Sequence, residues 1–300
     1  MKGTARQQPN RFGGLFALSN GIGLAMLGYV GLSALLTFVV DGWAADRGEL
    51  VQAVAALARY ALSLLVPFAF VGWMMRDEIQ PVPHQPKIRD KSFWAAALAA
   101  GLGMACLGNF LAWLMQLTAA REGVELAHAA AITGESPVTR MVIFVGYSLL
   151  AALVEEIVFR GVVLRMLRPW GDVWAIWCSA ALFALCHASP LQTLPALLTG
   201  GLLGILTVMT GGIGLSVVVH TCYNAMALVL NALLEENQSA LPVLIIWGVM
   251  MVVGLLAAPR LVTRWNNCRI IWGRSRKDFY IAPLMMLAAA FMAVRIVAGI

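Results

Sequence analysis

Charge is what this sequence has least of. Asp, Glu, Lys and Arg make up 12% of its 300 residues and hydrophobic residues 61%. A soluble domain carries about 25% charged and about 45–50% apolar residues. A water-soluble globular protein is therefore excluded. Cysteine is sparse and unpaired: Cys106, Cys178, Cys186, Cys222 and Cys268 show no C-x-x-C and no regular spacing. That argues against a disulfide framework and against a thiolate metal site. The zinc-protease motif H-E-x-x-H is absent. Strand-like alternation is missing, which excludes a membrane β-barrel. No internal repeat is visible, so the inverted-repeat plan of many transporters has no support.

What the chain does have is long apolar runs. They fall at about 14–40, 51–75, 92–118, 139–167, 173–188, 190–209, 213–234, 241–258 and 280–299. A spanning helix needs roughly 20 apolar residues. The expected fold is all-α, a polytopic transmembrane bundle of 8–9 spans, with residues 1–300 as a single membrane domain. The first run is too long for the roughly 7–15-residue core of a signal peptide and is expected to stay as a span.

The net charge of +6 points to the lipid bilayer rather than to nucleic acid. With the N-terminus in the cytoplasm, 15 of the 21 basic residues fall in inner segments. These include Lys2, Arg6, Arg76, Lys91, Arg168, Arg260, Arg264 and Arg269. The outer loops carry Arg47, Arg121 and Arg140, and hold eight of the 15 acids, among them Asp46, Glu49, Glu122, Glu235 and Glu236. This is the asymmetry that membrane insertion demands. The expected location is a bacterial inner membrane, multi-pass, with a cytoplasmic N-terminus and an outer C-terminus. The basic stretch 260–277, with Trp265 and Trp272, reads as an inner loop with interfacial anchors.

Against this background a few buried polar residues stand out. Glu155 and Glu156 adjoin within an apolar span, and Arg160 follows Glu156 at i+4, the favourable order for a helical ion pair. Each such charge costs at least roughly 2.5–3.5 kcal/mol at the centre of a span, so an intramembrane acid marks a functional site by default. Phe183 and His187 are four apart, as are His220 and Asn224, which places each pair on one helix face. Glu155 and His187 lie at similar distances from the loop 169–172, roughly 21–23 Å at 1.5 Å per residue. His84 and His128 lie in loops and are expected to be solvated; Arg59 has no evident role.

Carboxylate and neutral imidazole can activate water, directly or through a metal. An amide and a second imidazole can donate to an oxyanion. No Ser or Cys is placed as a nucleophile; Cys186 adjoins His187 but points about 100° away on a helix. Water attack is favoured over an acyl-enzyme.

The segments EEIVFR (155–160), FALCH (183–187) and HTCYN (220–224) together resemble the signature of the CPBP membrane proteases, which include the CAAX prenyl endopeptidases and abortive-infection-like bacterial proteins. The resemblance covers about 140–235. It implies a protease core there and an intramembrane endopeptidase acting on a membrane-embedded or lipid-anchored protein or peptide. It implies catalytic Glu155 and His187, oxyanion donors His220 and Asn224, and Glu156, Arg160 and Phe183 as structural support. Glu155, His187 and His220 would make a His₂Glu zinc set; the sequence leaves a zinc mechanism and a metal-free one both open. Two other functions compete: a non-catalytic immunity or binding protein that keeps the motifs, and a proton-coupled transporter.

Overall fold

The computed structural model describes residues 14–76, 85, 88, 90–123, 134–236, 240–273 and 277–298. His84 and His128 lie outside the described residues. Every apolar segment is helical, and the described residues contain no strand. The helices are α1 Gly14–Leu36, α2 Glu49–Met74, α3 Lys91–Arg121, α4 Pro137–Trp170, α5 Asp172–Leu185, α6 Pro190–Thr210, α7 Gly214–Glu236, α8 Leu241–Asn266 and α9 Pro283–Ala298. Of the described helices, seven are long and apolar enough to cross a membrane. The exceptions are α5 with 14 residues and α9 with 16. The protein is a multi-pass helical membrane bundle.

The outward faces of α2 and α8 are bare hydrocarbon, as is the π-helical turn Thr37–Asp41 that continues α1: Phe38, Phe70, Leu255 and Leu256 are all exposed, as lipid-facing side chains must be. Inside, small residues let backbones approach, which is how helices associate where apolar burial gives no advantage over lipid. At the contact of α3 with α8, a methyl on Gly103 would come within 2.7 Å of the Met250 carbonyl and 2.9 Å of the Gly254 Cα. No side chain fits there.

The end of the bundle that carries the basic loops is clasped shut. Arg168 Nε donates to Asp172 Oδ1 at 2.6 Å, and both side chains are buried. Asp172 Oδ2 accepts the Ile271 N–H at 2.8 Å, while the Asp172 N–H reaches the Ile271 carbonyl. Gln85 completes the knot by donating to the Arg269 carbonyl at 3.0 Å. The stretch after α8 is thus pinned under the core, with Trp272 81% exposed beside it. Arg59 pairs with Asp41 at 3.1 Å and donates to Thr37 Oγ1 at the other end, which gives it the partner the sequence did not reveal.

Two stretches of α4 are π-helical, Gly146–Leu150 and Ile157–Leu164. Such widenings occur disproportionately at functional sites. Here each presents a carbonyl to a neighbour: Asn224 Nδ2 donates to Tyr147 O at 3.2 Å, and Ser179 Oγ to Phe159 O at 2.7 Å.

Candidate functional site

The polar residues of α4 sit in the bundle interior. Glu156 is fully buried and Arg160 is 2% exposed. Their pairing follows the helix spacing: Arg160 Nη1 lies 2.7 Å from Glu156 Oε1. Arg160 Nη2 donates to the Gly200 carbonyl on α6 at 2.9 Å. Gly200 is required there, because a Cβ would stand 3.2 Å from that same Nη2 and 3.0 Å from the Phe183 ring. The guanidinium also lies over the Phe183 ring, 4.7 Å from its centroid. Arg160 is thereby held by α4, α5 and α6 at once.

His220 on α7 reaches both carboxylates. Its Nδ1 is 2.9 Å from Glu156 Oε1 and its Nε2 is 3.2 Å from Glu155 Oε2. A carboxylate oxygen thus faces each ring nitrogen. With both nitrogens protonated, the quartet Glu155, Glu156, Arg160 and His220 carries no net charge, which suits a low-dielectric interior. The sequence reading took His220 as an oxyanion donor; its N–H groups instead point at the two carboxylates. Tyr223 stacks on the ring, with centroids 4.7 Å apart at 16°.

His187 differs too. It lies in the turn just after α5, whose last residue is Leu185, and not on the helix. Ala188 follows in the left-handed region with φ 49°, a costly conformation for a residue with a Cβ. It turns the chain toward Pro190, where α6 begins. His187 Nδ1 is 3.0 Å from the Phe183 carbonyl. A carbonyl can only accept, so Nδ1 carries the proton and Nε2 keeps a basic lone pair. Phe183 stands between the two imidazoles, edge-on to both, at 4.7 Å from His187 and 5.9 Å from His220.

Glu155 lines a cavity of about 850 Å³ together with His187, His220, Phe183 and Asn224. The motif residues that face open space are thus brought to one chamber, while Glu156 and Arg160 stand behind its wall. Asn224 lines the chamber with its amide engaged on Tyr147. One residue of the site has no sequence motif. Tyr60 on α2 donates its hydroxyl to Glu155 Oε1, and α2 lies outside the 140–235 core. Its only signal was a tyrosine within an apolar run. Cys186 also lines the chamber beside His187.

Among the described residues, no group of three or more His, Cys, Asp or Glu is arranged to hold a metal ion. The reason lies in the ring that would have to ligate. Metal binding needs a free imidazole lone pair, and both nitrogens of His220 are turned to carboxylates. The donor set as placed does not fit zinc.

Residues 137–226 match the family model of the type II CAAX prenyl endopeptidase, Rce1-like. The matched stretch contains every motif residue from Glu155 to Asn224. No curated protein and no solved structure matches the chain.

Proposed function

From the premise that residues 137–226 match the family model of the Rce1-like type II CAAX prenyl endopeptidases, a family of membrane proteases, we propose that this protein is an intramembrane endopeptidase. It hydrolyses a peptide bond of a membrane-associated substrate with a water activated by Glu155. The observation that carries the reading is the setting of Glu155. Among the described residues it is the one carboxylate lining the chamber, and it is fixed by Tyr60 on one oxygen and His220 on the other.

Glu155 takes a proton from the water as the oxygen attacks the scissile carbonyl. His187, with its Nε2 lone pair free, orients that water within the same chamber. The tetrahedral oxyanion draws on donors at the chamber wall, among them the Asn224 amide. Glu155 then delivers its proton to the leaving amine, and the C–N bond breaks. His220, Glu156 and Arg160 are positioning residues in this scheme. They keep the charge of Glu155 balanced and its carboxylate in place. No step passes through a metal.

The test is hydrolysis of membrane-embedded peptides by the reconstituted protein. Glu155→Gln keeps the shape and loses the base, so turnover should fall to background at normal expression. Undiminished cleavage by Glu155→Gln would remove the assignment. A binding or transport role would leave no cleavage to lose.

A further inference from the structure

The chamber is not symmetric across the bundle. On α3 its lining runs from Ala105 to Ala120, one residue short of the helix end, roughly 22 Å at 1.5 Å per residue. On α7 it runs from His220 to Leu234, and it takes in Ala240 at the start of α8. No lining residue precedes Ala105 on α3 or His220 on α7, and none follows Trp247 on α8 or Thr199 on α6. The opening therefore lies at the end of Arg121, Glu236 and Leu241. The opposite end is closed by the Arg168–Asp172 clasp and the Gln85–Arg269 bond.

The reason is the length of α5. At 14 residues it rises roughly 21 Å, short of a hydrocarbon core of about 30 Å. The α5–α6 turn stops part-way, and the space beyond it is the vestibule.

The two ends differ in charge. The closed end carries Arg168, Arg260, Arg264 and Arg269 against Asp172; the open end adjoins Glu122, Glu235 and Glu236 against Arg121. Basic loops stay in the cytoplasm. The vestibule wall is also distinctive. Asn109, Gln116, Gln192 and Asn231 line it with Trp113 and Trp247, and among the described residues neither Lys nor Arg does. Side-chain amides match the donors and acceptors of a peptide backbone.

We propose that the site is served from the non-cytoplasmic side and takes an uncharged segment of a polypeptide in extended form. This rests on the endopeptidase reading for its chemistry, but the side of access can be measured without it.

In a background with the five native cysteines changed to Ala, Gln116→Cys, Asn231→Cys and, as the opposite-end control, Trp272→Cys would be reacted with a small membrane-impermeant thiol reagent. Right-side-out and inside-out vesicles expose the two faces. Gln116→Cys and Asn231→Cys should react from the non-cytoplasmic face and Trp272→Cys from the cytoplasmic one. If either vestibule variant fails to accumulate, retaining Cys186 alone probes the same chamber. Vestibule positions that react only from the cytoplasmic face would overturn the proposal. Reporter peptides tethered to a single-span helix and displayed on either side supply the second reading. A neutral segment should be cleaved only on the non-cytoplasmic side, and Lys or Asp beside the bond should lower kcat/KM about a hundredfold. Equal cleavage of charged and neutral segments would overturn the substrate class. Outside labelling without cleavage on either side would uphold the side of access and count against the hydrolase instead.

Discussion

Tyr60 donates its hydroxyl to Glu155 across 95 residues of sequence, from α2 to α4. The bond ties the motif-bearing segment to a helix outside the family match and fixes one oxygen of the proposed base. The other oxygen is left to His220, so the carboxylate plane is set by two helices at once.

Removing that hydroxyl should loosen the base without dismantling the bundle. A hydrogen bond to a charged group is worth about 1.5–3 kcal/mol, so Tyr60→Phe should lower kcat roughly tenfold or more with KM little changed. Steady-state kinetics on a tethered peptide checks this. Full activity in Tyr60→Phe would show that His220 alone positions Glu155.

Arg160 has a heavier structural duty. Its removal would leave the buried quartet with one uncompensated negative charge, which typically costs about 3–5 kcal/mol. Arg160→Ala should lower the thermal unfolding midpoint in detergent and reduce activity together. Arg160→Lys restores charge but not the fork that spans Glu156 and the Gly200 carbonyl, and should recover only part of the stability. A fully stable Arg160→Ala would contradict the packing described for α4, α5 and α6.

The clasp at the closed end predicts the converse. Arg168→Ala leaves Asp172 buried and uncompensated, again at about 3–5 kcal/mol, but it lies far from the chamber. Its unfolding midpoint should drop while kcat of the folded fraction stays near that of the parent. Equal losses in Arg168→Ala and Arg160→Ala would mean that the two ends of the bundle are not separable.

Cys186 offers a way to separate water from thiol chemistry. It lines the chamber, yet the mechanism gives it no bond to make. Cys186→Ala should retain activity of the same order, and thiol alkylation of the parent should act by obstruction only. Abolition of cleavage by this small truncation would point to a covalent route.

Prolonged chelation should leave activity unchanged, with metal content measured to detect a slowly exchanging ion. The geometry behind this is the use of both His220 nitrogens on carboxylates. Inhibition reversed by added zinc would require His220 to turn away from Glu155.

How much of this could be read from the chain depended on the kind of signal. Hydropathy placed most helices within a few residues, because a spanning helix is specified by length and composition; α8 instead runs on to Asn266, so Arg260, Arg264 and Trp265, expected in an inner loop, lie on its last turns. The Glu156–Arg160 pair was legible because i,i+4 geometry is local. The role of His220 was not. Its neighbours come from α4, and only packing decides whether a ring nitrogen faces an open chamber or a carboxylate. His187 was expected on a helix face, but the left-handed Ala188 and the following Pro190 end α5 before it. Tyr60 could not be found at all, since a lone tyrosine in an apolar run looks like ordinary packing. The closed end was equally hidden, because Gln85 and Arg269 are 184 residues apart.

The turn between α5 and α6 carries a consequence for hydration. From Cys186 to Ser189 the backbone leaves the helix part-way through the membrane. Peptide groups there cannot all bond within a helix, and each one left bare in hydrocarbon would cost several kcal/mol. Such a break is tolerated only beside protein or beside water, and Cys186 and His187 line the chamber. The interruption that gives His187 its place thus opens onto the chamber, where its peptide groups and the proposed base would share water, the one reagent that peptide hydrolysis consumes.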